Sequence, residues 1–176
     1  MPSIRPRRDR AFTLAELIIG AAVLAIAITA LLGAFLGQTT LNEHARNLTW
    51  AINDANRVME RIRQLNTGCA GAPSSAVPSE CGDGDDACAS WDAWLDDPVA
   101  GGGKSLEPDP DNNELLVPTA VAGDPLQITV AVCWRHRGRI IGECEANGAA
   151  LTQDDADGDG TIESPAMLST LMTCRQ

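Results

Sequence analysis

Residues 12–36, FTLAELIIGAAVLAIAITALLGAFL, form an apolar run of 25 residues interrupted by a single charge, Glu16. As a helix this run rises about 37 Å, enough to cross a hydrocarbon layer of about 30 Å with some tilt. A carboxylate inside such a span costs roughly 2.5–3.5 kcal/mol on insertion scales, so it requires a partner. No Lys, Arg or His follows on the same helix before His44. The partner of Glu16 must therefore come from elsewhere.

The flank sets the orientation. MPSIRPRRDRA carries Arg5, Arg7, Arg8 and Arg10 against one acid, Asp9, which by the positive-inside rule keeps the N-terminus cytoplasmic and sends the chain after residue 36 outward. A cleaved secretory signal has a shorter apolar core followed by a small-residue cleavage site. Here the small residue, Ala11, precedes the core. The order of basic leader, small residue, Ala11-Phe12-Thr13-Leu14-Ala15-Glu16 and long apolar helix resembles the prepilin signature of type IV pilins and pseudopilins, with Ala11 where the family usually has Gly. The resemblance covers about residues 5–40.

That resemblance implies that a prepilin peptidase cuts between Ala11 and Phe12 and methylates the new amino group of Phe12. It further implies that Glu16 pairs with the N-terminal ammonium of a neighbouring subunit. Because an unpaired buried charge is far more costly than a buried pair, such pairing would select the correct axial register during assembly. The implied partners are the peptidase, other pilin or pseudopilin subunits and the inner-membrane assembly platform. The implied location is the inner membrane, single pass, with a periplasmic C-terminal domain, and then a pilus (fimbrium) or pseudopilus.

Past residue 36 the helical pattern continues without Pro. Leu41, Ala45, Leu48, Ile52, Ala55, Met59 and Ile62 recur four and three apart, opposite Asn42, Glu43, Arg46, Asn53, Arg57, Glu60 and Arg63. This is an amphipathic face. The whole helix, about residues 12–65, would be about 81 Å long, and its apolar stripe must be covered by the rest of the chain. The expected organisation is a leader at 1–11, a membrane half of the helix at 12–36, an amphipathic half at 37–66 and an extracytoplasmic domain at 67–176. The fold class is α+β: a long N-terminal helix on a small antiparallel sheet, type IV pilin-like, loop-rich and disulfide-stapled.

Residues 67–125 are dense in Gly, Pro, Ser and Asp and show no clear period, with one short helix expected near Ser90–Leu95. The best strand is Leu126–His136, where Ile128, Val130, Val132 and Trp134 alternate with Thr129, Ala131, Cys133 and Arg135. Arg137-Gly138 predicts a turn into a return strand, Arg139–Glu143, with His136 at the surface of that turn. Leu115–Val117 is expected as an edge strand ended by Pro118.

All six cysteines, Cys69, Cys81, Cys88, Cys133, Cys144 and Cys174, fall after the apolar run, the partition an oxidising compartment permits. Zinc ligation is disfavoured because no Cys-x-x-Cys pair occurs and the histidines are only His44 and His136. Three disulfides are expected from fifteen possible connectivities. Cys81–Cys88 is expected as a local closure, and Cys174 as a clamp to the sheet or to the Cys144 loop. Two Phe and no Tyr give a core of this size little to hold it without staples.

The net charge is −11; without the leader, nine basic and twenty-three acidic residues leave −14. Such a domain repels phosphate backbones, and no nucleic-acid partner is expected. Asp155, Asp157 and Asp159 stand at alternate positions before Gly160 and Ile162, matching the first eight positions of an EF-hand-type loop. Calcium is the cofactor this spacing suggests, with the backbone carbonyl of Thr161 and Glu163 or a water completing the shell. The twelfth position is Ala166 where that loop needs Glu, and Pro165 precedes it. Asp-Gly repeats are also ordinary turn formers.

No phosphate loop, Gly-x-Ser-x-Gly elbow or His-Glu-x-x-His helix occurs, and the chain is read as no enzyme. Two functions are carried forward. One is a minor pilin or pseudopilin that initiates or caps a type IV pilus or a type II secretion pseudopilus. The other is a binding module, displayed on the filament or anchored in the membrane, with adhesion through calcium or acidic loops. The absence of Pro from the span favours a minor over a major subunit.

Overall fold

A computed structural model describes residues 13–66, 75–78, 81, 88–106, 114–121, 125–148 and 150–173. The leader, Phe12, Cys69 and Cys174 lie outside them. The chain divides into two units, Met1–Glu43 and His44–Gln176.

One helix, α1, spans Leu14–Leu65. Within the first unit its residues 13–38 are all exposed, among them Leu14, Leu17, Ile19, Ile26, Leu31 and Phe35. This is the helix that is long and apolar enough to cross a membrane. Within the second unit the buried face is Asn47, Ala51, Asp54, Ala55, Val58, Met59 and Ile62. The stripe expected from hydrophobicity is rotated: Leu41 and Ala45 are exposed, while two polar residues, Asn47 and Asp54, are buried.

The second unit is built around β2 (Leu126–His136). Strand β1 (Glu114–Val121) pairs antiparallel along one side of it. Its other side is shared end to end by β6 (Ala166–Met172), opposite Leu126–Val132, and by β3 (Arg139–Ile141), opposite Trp134–His136. Pro118 does not end β1, which runs on to Val121; on an edge strand a missing N–H is tolerated. The return strand β3 stops at Ile141, short of the expected Glu143. Its two-residue turn has Arg137 and Gly138 both at positive φ, 50° and 75°, the handedness that matches strand twist.

Both faces of β2 are covered. Ile128, Val130, Val132 and Trp134 pack with Ala51, Ala55, Val58, Met59 and Ile62 of α1, and with Trp91, Trp94 and Leu95 of α2 (Trp91–Asp96). The short helix is where it was expected, and the Ser90 hydroxyl caps it by accepting the Ala93 N–H. On the opposite face Ala131 and Cys133 meet Val117, Cys144, Leu151 and Ile162. The cover comes from a hairpin that the hydrophobic pattern did not single out, β4 (Cys144–Asn147) with β5 (Ala150–Gln153).

Among the described residues two disulfides are present, Cys81–Cys88, the expected local closure, and Cys133–Cys144, which ties β2 to the covering hairpin. The expected clamp through Cys174 lies outside the described residues. Gly142 is required beside the Cys133–Cys144 bond: its φ is +98°, and a Cβ there would sit 2.8 Å from Cys133 Sγ.

Candidate functional site

Glu16 is exposed and lies in the first turn of α1. It forms a reciprocal cap with Thr13: the Thr13 N–H donates to Glu16 Oε2 at 3.4 Å, and the Glu16 N–H donates to Thr13 Oγ1 at 3.3 Å. This is the Thr-x-x-Glu capping box. The carboxylate thus has a local partner at the start of the helix.

The acidic loop brings Asp155, Asp157 and Asp159 together, with one carboxylate oxygen of each within 4.8 Å of the others, all exposed. Backbone amides curl the loop around them. Asp155 accepts the N–H groups of Gly158 and Gly160, both at 2.9 Å, Asp157 accepts that of Asp159 at 3.2 Å, and Asp159 accepts that of Thr161 at 2.7 Å. Gly158 and Gly160 take positive φ, 71° and 82°. The Thr161 hydroxyl and then its N–H, both donating to Asp159, hold that carboxyl below its ordinary pKa. Three converging carboxylates on a curled loop are a donor set of the kind a hard cation takes.

Of the remaining expected ligands, Thr161 is next to the group through Asp159, whereas Glu163 is outside it. The Glu163 N–H donates to Glu143 Oε2 at 2.9 Å, and its carbonyl accepts the Glu143 N–H at 2.8 Å. Ala166 at the twelfth position is fully buried and starts β6, so no ligand comes from there.

Two polar clusters inside the second unit were not found from the sequence. In the first, Asp54, with no exposed surface, accepts the N–H and the hydroxyl of Ser105, both at 2.7 Å, and the Arg57 guanidinium. Arg57 also donates to Gly101 O at 2.9 Å and to Gly103 O. Lys104 Nζ donates to Asp92 Oδ2 at 2.9 Å and to Glu114 O at 3.2 Å, while Asp92 accepts the Leu116 N–H at 3.0 Å. Glu114 is 3% exposed, and among the described residues neither of its carboxyl oxygens has a hydrogen-bond partner.

In the second, Asn47 Nδ2 lies 3.2 Å from His136 Nδ1, and the His44 ring centre is 6.3 Å from that of Trp134 and 6.0 Å from that of His136. His136 is half-buried against α1, which corrects its expected place on the surface of the turn. Both clusters interrupt apolar faces, and hydrophobic periodicity carries no signal for a polar residue in a buried register.

Residues 6–32 match the family described as prokaryotic N-terminal methylation motif. The match supports a prepilin-type pilin family. It covers the basic flank, Ala11, Phe12, Glu16 and most of the exposed apolar part of α1. With that motif, the long apolar helix, the small antiparallel sheets and the disulfides are consistent with an α+β, type IV pilin-like fold. The motif and the helix also fit membrane anchoring and pilus display, processing by a prepilin peptidase and assembly with other pilins. They suggest a structural subunit. Comparison with curated proteins and with solved structures found no match.

Proposed function

We propose that the chain is a minor pilin or pseudopilin that initiates or caps assembly of a type IV pilus or of a type II secretion pseudopilus. The observation that carries this reading is the methylation motif at the head of one long helix whose apolar part is wholly exposed. An exposed helix face of that size needs lipid or other helices around it. In this reading the peptidase cuts between Ala11 and Phe12 and methylates Phe12, and the first unit stays in the inner membrane with the second unit periplasmic. On entering a filament, Glu16 exchanges its Thr13 cap for the N-terminal ammonium of a neighbour. The absence of Pro from the span supports a minor subunit.

Intact-mass and N-terminal peptide analysis of the membrane-extracted protein, with and without the prepilin peptidase, tests this. A terminus at methylated Phe12 that disappears with the peptidase is expected; an uncut Met1 or Pro2 terminus in both strains overturns it. Glu16→Ala is expected to abolish incorporation into the filament, as read by filament shearing and immunoblotting.

A second reading rests on the converging carboxylates of Asp155, Asp157 and Asp159: the second unit is a displayed adhesion module whose acidic loop takes calcium, with Thr161 beside the group. Under it, Asp157→Ala leaves incorporation intact and removes calcium-dependent adhesion.

A further inference from the structure

The second unit is basic at the end where the chain enters it, at His44, although the chain after the leader carries −14. Inside that unit α1 runs against β2. Asn47 of α1 meets His136, the last residue of β2, whereas Arg63 near the end of α1 meets Thr170, which stands opposite Ile128 near the start of β2. The β2–β3 turn therefore points back along α1 toward the point of entry. This gathers Arg46 of α1, Arg135 of β2, Arg137 of the turn and Arg139 of β3 at one end of the unit. Arg139 stands opposite His136, whose ring centre is 6.0 Å from that of His44. Arg46, Arg137 and Arg139 are exposed, and Arg135 is half-buried.

These cations are handled unlike the others of the unit. Arg57 pairs with Asp54, Arg63 with Glu60 and Lys104 with Asp92. Among the described residues Arg46, Arg135 and Arg139 pair with no carboxylate. Arg46 lies over the Trp50 ring, 4.7 Å from its centre, and Arg135 donates to Gly148 O at 3.5 Å. Counting Glu43, one turn before Arg46, the four arginines still leave three positive charges.

Chain reach bounds what lies nearby. Eight residues separate Leu36, the end of the apolar run, from His44, a rise of about 12 Å as helix. The headgroup layer beyond the hydrocarbon is about 5–8 Å deep, and in physiological salt its field extends about 8 Å further.

We propose that this end of the second unit docks on anionic phospholipid headgroups at the outer face of the membrane that α1 enters. The inference rests on the reading of α1 as a membrane anchor. Guanidinium groups suit the task because they bond phosphate through paired N–H donors. The acidic remainder of the unit is repelled by the same headgroups, so charge of both signs holds the unit by this end. A subunit held in this way must release the headgroups before it leaves the bilayer for a filament.

The test uses the full chain in lipid nanodiscs doped with a nitroxide-headgroup lipid, with amide signals read by NMR. Discs of phosphatidylcholine alone are compared with discs containing about one-third phosphatidylglycerol, a surface charge of the kind that attracts basic segments. The amides of residues 135–139 should broaden strongly in the anionic discs and weakly in the neutral ones, while those of Arg63 and Thr170, at the other end of the unit, broaden in neither. Each arginine removed should lower the odds of docking about fivefold, so the triple variant R135Q/R137Q/R139Q should lose the effect. Salt at about 1 M, where the screening length is about 3 Å, should do the same. Equal broadening in the two kinds of disc, or broadening that survives the triple variant, overturns the proposal. Salt-sensitive association between copies that is equal in both kinds of disc assigns the basic end to the acidic surface of a second copy and overturns it as well. A chain recovered outside the disc fraction overturns the anchor reading and the docking with it, whereas an inserted chain without lipid-dependent broadening overturns the docking alone. If the triple variant does not fold, the wild type in the two lipids decides.

Discussion

Two groups of carboxylates in the second unit solve the same problem in opposite ways. Asp155, Asp157 and Asp159 stay in water, and their charge is met by the amides of Gly158, Asp159, Gly160 and Thr161. Asp54 and Asp92 have left most of the water behind and are met by Arg57 and Lys104. High dielectric makes the first group inexpensive and weakly coupled to stability, while burial makes every partner in the second indispensable. Composition does not distinguish them.

The sharpest way to break this contrast is Asp54→Ala. It strands the Ser105 N–H and leaves Arg57, partly exposed and still donating to Gly101 O and Gly103 O, without its carboxylate, which should destabilise the domain by about 2 kcal/mol, measured by denaturant unfolding. A loss within about 0.5 kcal/mol, the range of surface changes, would erase the distinction between the clusters. Asp157→Asn on the exposed loop is the counterpart. Without calcium its effect should stay within about 0.5 kcal/mol. With calcium in about tenfold excess over its dissociation constant, the wild type should gain about 1.4 kcal/mol that the variant lacks and that chelation removes. The smallest effect belongs to Thr161→Val. It removes the hydroxyl that lowers Asp159, so the carboxyl should titrate nearer the ordinary value in an NMR pH series while the folding midpoint stays in place.

Parts of this molecule were legible in its residues for clear reasons. The apolar run and its capped start define α1, and alternation in Leu126–His136 defines β2, because both elements bury or expose faces at their own period. Strand β6 was invisible because Ala166–Met172, AMLSTLM, is rich in helix formers; only the vacant side of β2 makes it a strand. The β4–β5 hairpin does leave a signal, Asn147-Gly148 at the end of β4, with Gly148 at φ 64°, a turn dipeptide without an alternating apolar run on either side to mark the strands. In the acidic loop the spacing of the aspartates was enough to bring them together, because the contacts are local. The Asp54–Ser105 contact joins residues 51 positions apart, and no local pattern reports such a meeting.

The end-to-end sharing of one side of β2 has an architectural consequence. Ile141 and Ala166 stand opposite Trp134 and Val132, two residues apart on the same strand, so residues 142–165 leave the sheet and return almost where they left. Their root is clasped by Cys133–Cys144 and by the mutual Glu143–Glu163 contacts. The excursion is thus a cassette with a closed base: its tip can be lengthened, trimmed or exchanged for a foreign epitope while the strands on either side keep their register.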